Sequence, residues 1–411
     1  MQLTHLSLTN FRNYSRLELD LPAGPTLLHG DNAQGKTNLL EAIYYLATTR
    51  SPQADNDQQL ISWEADQSAE PVVVGRLVAQ LGTGQGPKQV ELRLIKEAAN
   101  QGLFRREALL DRRKVRLMDL LGVLHVVLFL PEDVQLVTGS PSRRRRYLDI
   151  TLCQTDAQYC RTLSDYNKVL EQRNALLRRL AENGAAGAEL LPIYTDKLVS
   201  LGSHLFAKRA AALAALAEGA QRVHYEELTE GGETLRLSYL PRLMVNGFSR
   251  ADDGTLAKAE RLSEWLQGEP GEAAIAERFR RALAESQPAE LATGMTRVGP
   301  HRDDWRFWVG GRNAGSFGSR GQQRSAILAL KLAEIQWMAA ASGEIPLLLL
   351  DEVVAELDQH RRALLLAAVQ SASQALLTAT DPTMFTAGFL SQATTMTVTE
   401  GRVRQDVPAP A

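Results

Sequence analysis

Gly30-Asp31-Asn32-Ala33-Gln34-Gly35-Lys36-Thr37 reads G-x-x-x-x-G-K-T, a spacing that lets backbone N–H groups turn inward around the β- and γ-phosphates of a nucleotide. Lys36 neutralises phosphate charge, the Thr37 hydroxyl suits Mg²⁺, and a helix opening at Asn38 adds its N-terminal dipole. Far downstream, four leucines, Leu347 to Leu350, close on Asp351-Glu352. Such a run is what a central parallel strand looks like, and ligands of parallel sheets gather at the carboxyl ends of strands. Asp351 is placed to hold Mg²⁺ through water, and Glu352 to accept a proton from an attacking water. A third stretch, Ser319-Arg320-Gly321-Gln322-Gln323, precedes a periodic helix carrying Ile327, Leu328, Leu330, Leu332 and Ile335. Ser319 is first of all a helix N-cap, a role that leaves Gly321-Gln322 unexplained. Its hydroxyl, a glycine N–H and the helix N-terminus also make a γ-phosphate site, one that cannot reach the nucleotide in its own chain's loop. The three stretches together predict an ATPase head that binds ATP and Mg²⁺ and closes on a second copy of itself.

The elements that must position these residues are legible in outline. Residues 2–9 and 17–21 alternate apolar and polar and predict two strands joined by a turn at Asn10 to Tyr14. Thr26 to His29 is a short strand into the loop, and Asn38 to Thr48 is a helix burying Leu39, Leu40, Ile43 and Leu46, the strand–loop–helix order that a phosphate loop needs. Segments 71–80 and 88–96 are β-rich about the turn Gly82 to Pro87. From about 140 to 290 the period becomes helical, with breaks at Ala181 to Glu189, Glu230 to Glu233 and Gly268 to Gly271. Strands return at Trp305 to Val309, Leu347 to Leu350 and Ala375 to Thr380, and only the tail Pro408 to Ala411 looks unstructured. The expected fold is α/β: an ABC-type head of residues 1–135 and 294–411, with a β-rich subdomain and an inserted helical lobe, 136–293.

At 411 residues, 44% hydrophobic and 23% charged, the composition is that of a soluble globular protein long enough for two lobes. No signal peptide or membrane-spanning run is present, which predicts a cytoplasmic protein without a membrane partner. Cys153 and Cys160, on what reads as one helix, fit neither a redox nor a zinc motif and are expected reduced. The net charge of -2 argues against a generally basic nucleic-acid coat, so any DNA contact comes from local patches. Two patches are candidates: Arg143-Arg144-Arg145-Arg146 after Pro141, and Arg105-Arg106 with Arg112, Arg113, Lys114 and Arg116. Four consecutive arginines fan around a helix and cannot all face one ligand; salt bridges to Asp149 or Glu132 are the competing role. His301, without a matched partner, is read as structural or interface-facing.

A family resemblance rests on further motifs. Pro131-Glu132, Leu136-Val137, Gly139-Ser140-Pro141, Arg144-Arg145 and Tyr147-Leu148-Asp149, with Gly299-Pro300-His301-Arg302-Asp303-Asp304 and Ala355-Glu356-Leu357-Asp358, resemble the bacterial RecF family. So do Leu8 to Tyr14, Leu170 to Leu177 and Gln322 to Ser325. That family is related to the ABC-type heads of SMC chromosome-maintenance proteins. The resemblance implies that Ser319, Gly321 and Gln322 bind the ATP of the partner protomer and that Glu356-Leu357-Asp358 is a D-loop across the interface. It places Arg12 and Asn38 among the nucleotide contacts. It also implies an ATP-glued homodimer at single-strand/double-strand DNA junctions or gaps, interaction with RecR and indirectly RecO, and help in placing RecA during repair, replication restart and the SOS response. The chain departs from many ABC ATPases in having Thr380-Asp381 where a switch histidine stands, and Pro131-Glu132 where a Q-loop glutamine stands; slow, DNA-stimulated hydrolysis follows. A phosphotransferase acting on a small acceptor is the rival reading and predicts a monomer. A transporter's nucleotide-binding subunit is a second rival, disfavoured by the missing histidine.

Overall fold

The computed structural model describes residues 1–68, 70–84, 86–97, 103–183, 187–244 and 253–406. The tail Pro408 to Ala411 lies outside them, and the turn Gly82 to Pro87 and the break Ala181 to Glu189 lie partly outside. The chain divides into two compact units, Met1–Asp133 with Glu334–Ala411, and Val134–Ala333.

The first unit holds two sheets. The opening strands Gln2–Phe11 and Tyr14–Asp20 form a hairpin, and Val72–Thr83, Gly86–Glu97, Leu103–Leu110 and Arg113–Val115 extend it into a six-stranded antiparallel sheet. Its last turn is two residues long, Asp111-Arg112, both in the left-handed region, the geometry that matches the twist of a tight hairpin. The second sheet runs Arg402–Gln405, Thr394–Thr399, Gly24–His29, Gln374–Ala379, Leu347–Asp351 and Val126–Phe129, parallel except for the first pair. Helix Lys36–Thr48 packs between the sheets: its Leu39, Leu40, Ile43 and Leu46 share one core with Leu6, Leu77 and Leu92 of one sheet and Leu347, Leu349 and Leu376 of the other. Leu348 and Leu350, pointing the opposite way, are also fully buried. Burial on both faces is why this strand reads as an uninterrupted apolar run.

The second unit packs helices Pro141–Thr155, Ala157–Asn183, Leu191–Arg222, Asp253–Gln267 and Glu272–Thr293 with a three-stranded antiparallel sheet. Gly202 lets two helices approach; a Cβ there would lie 2.6 Å from Phe279. The sheet pairs Leu235–Leu240 with Asp304–Val309, which in turn pairs with Arg312–Asn313. That pairing corrects the expected domain boundary. Residues 294–333, assigned from sequence to the head, belong compactly with the helical unit, because Asp304–Val309 finds its partner strand inside the inserted segment. The cysteines are free but sit on two successive helices, separated at Asp156.

Candidate nucleotide site

Strand Gly24–His29 lies in the middle of the parallel sheet and delivers the loop to its carboxyl edge. Gly30 and Gly35 have φ of 146° and 116°, where a side chain is strained. Space forbids one too: a Cβ on Gly30 would collide with the Val398 carbonyl, and one on Gly35 with the Asn13 amide. The loop is clasped from outside. Tyr14 donates its hydroxyl to the Gly35 carbonyl at 2.9 Å, and Asn13 Nδ2 donates to the Gln34 carbonyl at 2.9 Å. The Gly401 N–H reaches the same carbonyl at 3.0 Å, and the Glu400 N–H reaches Gln34 Oε1 at 2.7 Å. Asn38 Nδ2 in turn donates to Asn13 Oδ1 at 2.8 Å. Gln34 and Asn38 thus brace the loop; the bracing residues Asn13, Tyr14 and Gly401 carry no signal in the loop motif itself.

Asn32, Ala33, Gly35, Lys36, Thr37, Asn38 and Glu352 line a cavity of about 260 Å³. Lys36 Nζ, buried, donates to the carbonyls of Gly30 and Asp31 at 2.7 and 2.9 Å and lies 3.4 Å from Glu352 Oε1. The Thr37 hydroxyl donates to Asp351 Oδ1 at 2.9 Å. Thr378, missed from sequence, donates its hydroxyl to the same oxygen at 2.7 Å and accepts the Glu352 N–H at 3.0 Å. Only the parallel register, Asp351 beside Thr378, brings it there. Burial raises the Asp351 pKa above its ordinary 3.8 and the charges of Glu352 and Glu132 add to the rise, while the two threonine hydrogen bonds oppose it. Glu352 adopts φ 52°, a conformation costing a non-glycine residue on the order of 1 kcal/mol, and turns its half-exposed carboxylate toward Lys36. Asp351 and Glu352 therefore face different partners, one Thr37 and one Lys36.

These residues fit a nucleoside triphosphate with a divalent ion. The two ends of the loop leave no room for side chains, and a lysine, a hydroxyl and the Glu352 carboxylate line one cavity, with Asp351 held behind the Thr37 hydroxyl. Among the described residues no group of three or more His, Cys, Asp or Glu side chains could hold a metal ion.

Other predicted site residues are differently engaged. Arg12 places its guanidinium fork on the buried Glu41 carboxylate at 2.8 and 2.9 Å and on the Gln59 carbonyl, so its donors brace the phosphate-loop helix instead of lining the cavity. Asp358 N-caps helix Gln359–Ser371 through the Arg361 N–H and ion-pairs with the Arg361 side chain. In place of a switch histidine, Asp381 caps a short turn by accepting the Thr383 N–H. In the second unit, Ser319 caps helix Arg320–Ser342: its hydroxyl accepts the Gln322 N–H at 3.2 Å, and Gln322 Oε1 accepts the Ser319 N–H at 2.9 Å. Gln322 Nε2 also donates to Glu233 at 2.7 Å. A reciprocal capping box thus gives Gln322 the structural role that the sequence left unexplained.

The two basic patches divide into exposed and engaged residues, with Arg143 exposed. Pro141 does open the helix, but Arg144 turns inward, 6% exposed, onto Asp304 at 2.7 and 3.1 Å, because one arginine in four consecutive helical positions must face the core. Buried there, it is withdrawn from DNA. Arg145 donates to the Asp303 carbonyl. On the antiparallel sheet, Arg105 and Lys114 share Glu107, Arg106 meets Asp57, and Arg116 meets Asp119. Arg112 reaches only the Gln89 side chain at 3.5 Å, and Arg113 is exposed. His301, the tempting lone histidine, is partly buried: Tyr166 donates to its Nδ1 at 2.8 Å, and its Nε2 bonds the Thr296 carbonyl.

Residues 2–405 match the family model described as RecF/RecN/SMC N terminal domain. The chain is 42% identical to the "DNA replication and repair protein RecF" of Chloroflexus aurantiacus, covering 98% of this chain and 99% of that one. This chain belongs to the RecF family. A RecF of Symbiobacterium thermophilum is 40% identical over 93% of the chain and 92% of its own length. The solved "recombination mediator protein RecF-ATP in RecFOR pathway" superimposes with a TM-score of 0.81 at 28% identity, over 98% of this chain and 97% of that one. An Smc head bound to a winged-helix domain of ScpA, 13% identical with a TM-score of 0.50, shares the fold. The RecF family thereby joins the SMC-like ATPase heads in architecture, and the phosphate loop, Asp351 and Glu352 of this member occupy one edge of its parallel sheet.

Proposed function

We propose that this protein is an ATP-dependent, DNA-binding recombination mediator that works as an ATP-driven homodimer at single-strand/double-strand junctions or gaps. With RecR, and through it RecO, it would assist RecA loading in cytoplasmic DNA repair, replication restart and the SOS response. The observation that carries the reading is the cavity lined by Lys36, Thr37 and Glu352, with Asp351 on the Thr37 hydroxyl, within a chain similar along its whole length to an ATP-bound RecF. Lys36, already turned toward the loop, would hold the β- and γ-phosphates, and the loop's N–H groups would orient them. Thr37 and Asp351 would hold Mg²⁺, which would supply neutralisation of phosphate charge. Glu352 would take the proton of the attacking water once its hold on Lys36 loosens, and that pairing favours slow turnover. Ser319, Gly321, Gln322 and Asp358 of one protomer would serve the ATP of the other, so that ATP binding closes the dimer and hydrolysis, accelerated by DNA, opens it.

The test is the solution mass of Glu352→Gln by light scattering, without nucleotide and with ATP-Mg²⁺, repeated with Ser319→Arg added. Doubling with ATP that disappears with Ser319→Arg is the expected result. A monomer throughout, with ATP binding verified, would sink the dimer mechanism.

A further inference from the structure

The loop carrying Gly299-Pro300-His301-Arg302-Asp303 gathers arginines whose purpose the nucleotide site does not explain. Gly299 donates its N–H to the Arg242 carbonyl at 2.9 Å, and the Arg242 N–H returns to Asp303 Oδ1 at 2.7 Å, fixing the two segments side by side. Arg302 is clamped through Nε and Nη2 onto the Thr296 carbonyl at 3.3 and 3.2 Å, with Met295 sulfur against the same nitrogen. Arg178 packs its stem at the loop's start, where a Cβ on Gly294 would lie 2.8 Å from its Cγ. Arg178, Arg297 and Arg302 are exposed, and among the described residues none lies within ion-pair distance of a carboxylate. The acids close by are spent internally: Asp303 on Arg209 and Tyr239, Glu290 on Arg173, Ser286 and the Arg297 N–H. Burial and the like charges of Arg302 and Arg297 both depress the Arg242 pKa, so these cations stand close enough to repel one another.

Proteins neutralise surface arginines with nearby acids when no ligand is intended, as the antiparallel sheet of this chain does with Arg105, Arg106, Lys114 and Arg116. Exposed arginines left without a carboxylate partner among the described residues, as Arg178, Arg297 and the clamped Arg302 are, instead suit an external polyanion. We propose that Arg297 and Arg302, flanked by Arg178 and Arg242, form a phosphate-backbone contact surface for DNA on the helical unit. The inference rests on the DNA-binding reading above and deepens it by adding the 294–303 loop to the exposed residues Arg112, Arg113, Lys114 and Arg143, while Arg144 is buried. Guanidinium contacts to phosphodiesters position a protein without reading sequence.

The experiment is fluorescence anisotropy of the full-length protein with ATP-Mg²⁺ on a labelled gapped duplex, titrated across KCl concentrations. Compared are the wild type, Arg297→Ala/Arg302→Ala, the single Arg297→Glu, and Arg281→Ala, whose arginine pairs with Glu277 on an exposed helix face. Losing two phosphate contacts lowers the slope of log affinity against log salt by about 2 and weakens binding on the order of ten- to a hundredfold at moderate salt. Arg281→Ala should match the wild type. ATP affinity measured on each variant reports that the nucleotide unit is intact, and Arg297→Glu, whose side chain makes no hydrogen bond to lose among the described residues, keeps the test decisive if the double variant fails to fold. Wild-type binding with unchanged affinity and slope in Arg297→Glu would overturn the assignment while leaving DNA binding standing. A wild type that does not bind the gapped duplex at all would overturn the DNA-binding reading itself.

Discussion

Lys36 in the first unit and Arg209 in the second are both buried cations, 4% and 2% exposed, and they are compensated in opposite ways. Lys36 borrows two loop carbonyls and one carboxylate at 3.4 Å, at the wall of an open cavity. Arg209 is saturated: Asp149 at 2.8 Å, Asp303 at 3.2 Å, the Tyr159 hydroxyl at 3.0 Å and the Pro300 carbonyl at 2.5 Å. A charge held by weak or exchangeable partners beside empty space is ready for a ligand. A charge matched on every side organises structure. The motifs that mark the family fall into both classes: the phosphate loop and Asp351-Glu352 into the first, and Tyr147-Leu148-Asp149 and Gly299 to Asp304 into the second.

The largest way to sharpen this contrast is on the open side. Glu352→Gln should lower ATP turnover by roughly 10²–10⁴-fold, the range of a general base, while ATP still binds. Single-turnover hydrolysis at the wild-type rate would remove Glu352 from that role. On the saturated side, Arg209→Leu strands Asp149 and Asp303 and should destabilise the helical unit by about 3–5 kcal/mol, as breaking a buried pair does. A loss below about 1 kcal/mol by denaturant titration would mean that the network is not the strut described here. Smaller again is Thr378→Val, which keeps shape but removes the hydroxyl that bridges Asp351 and the Glu352 N–H. It should cost on the order of 1–3 kcal/mol in stability and slow Mg²⁺-dependent hydrolysis; unchanged stability and rate would show the bridge to be dispensable.

The same contrast explains what could be read from the sequence. The phosphate loop is contiguous, its glycines answer to backbone geometry alone, and Asp351 sits where a parallel strand must end, so these needed no knowledge of distant partners. Ser319 as a cap was equally local. Arg144 was ambiguous because its partner, Asp304, lies 160 residues away and nothing in four successive arginines says which one turns inward. The Arg12 pairing was hidden likewise: the resemblance places it among the nucleotide contacts, and only the fold brings its fork to Glu41 on the next helix. The domain boundary at 294 was misplaced because strand Asp304–Val309 looks like any head strand until its partner, Leu235–Leu240, is found within a stretch dominated by helical periodicity.

The smallest predicted effect per unit of change concerns pH, and it separates two residues only two positions apart. Burial, helped by the charges of Arg302, Arg145 and Arg209, lowers the His301 pKa from 6.5 to about 3, so its neutral ring stabilises the fold above pH 6.5 and that stability drains as pH falls toward 3. Asp303 moves the other way: burial, outweighing Arg209, raises it from 3.8 to about 6, so the folded state holds a proton that the unfolded state has lost between pH 4 and 6, and stability falls as pH rises through that window. Each slope is at most about 1.4 kcal/mol per pH unit, and between pH 4 and 6 they have opposite signs and largely cancel. His301→Gln removes one of them. Relative to wild type, the variant should lose stability at neutral pH, where the Tyr166 and Thr296 hydrogen bonds are disturbed, yet recover part of that deficit on acidification from pH 6 to 4. Denaturant midpoints across that range decide it: a deficit that stays constant with pH would mean that His301 does not remain neutral in the fold, and that this part of the network is not as fully matched as Arg209 is.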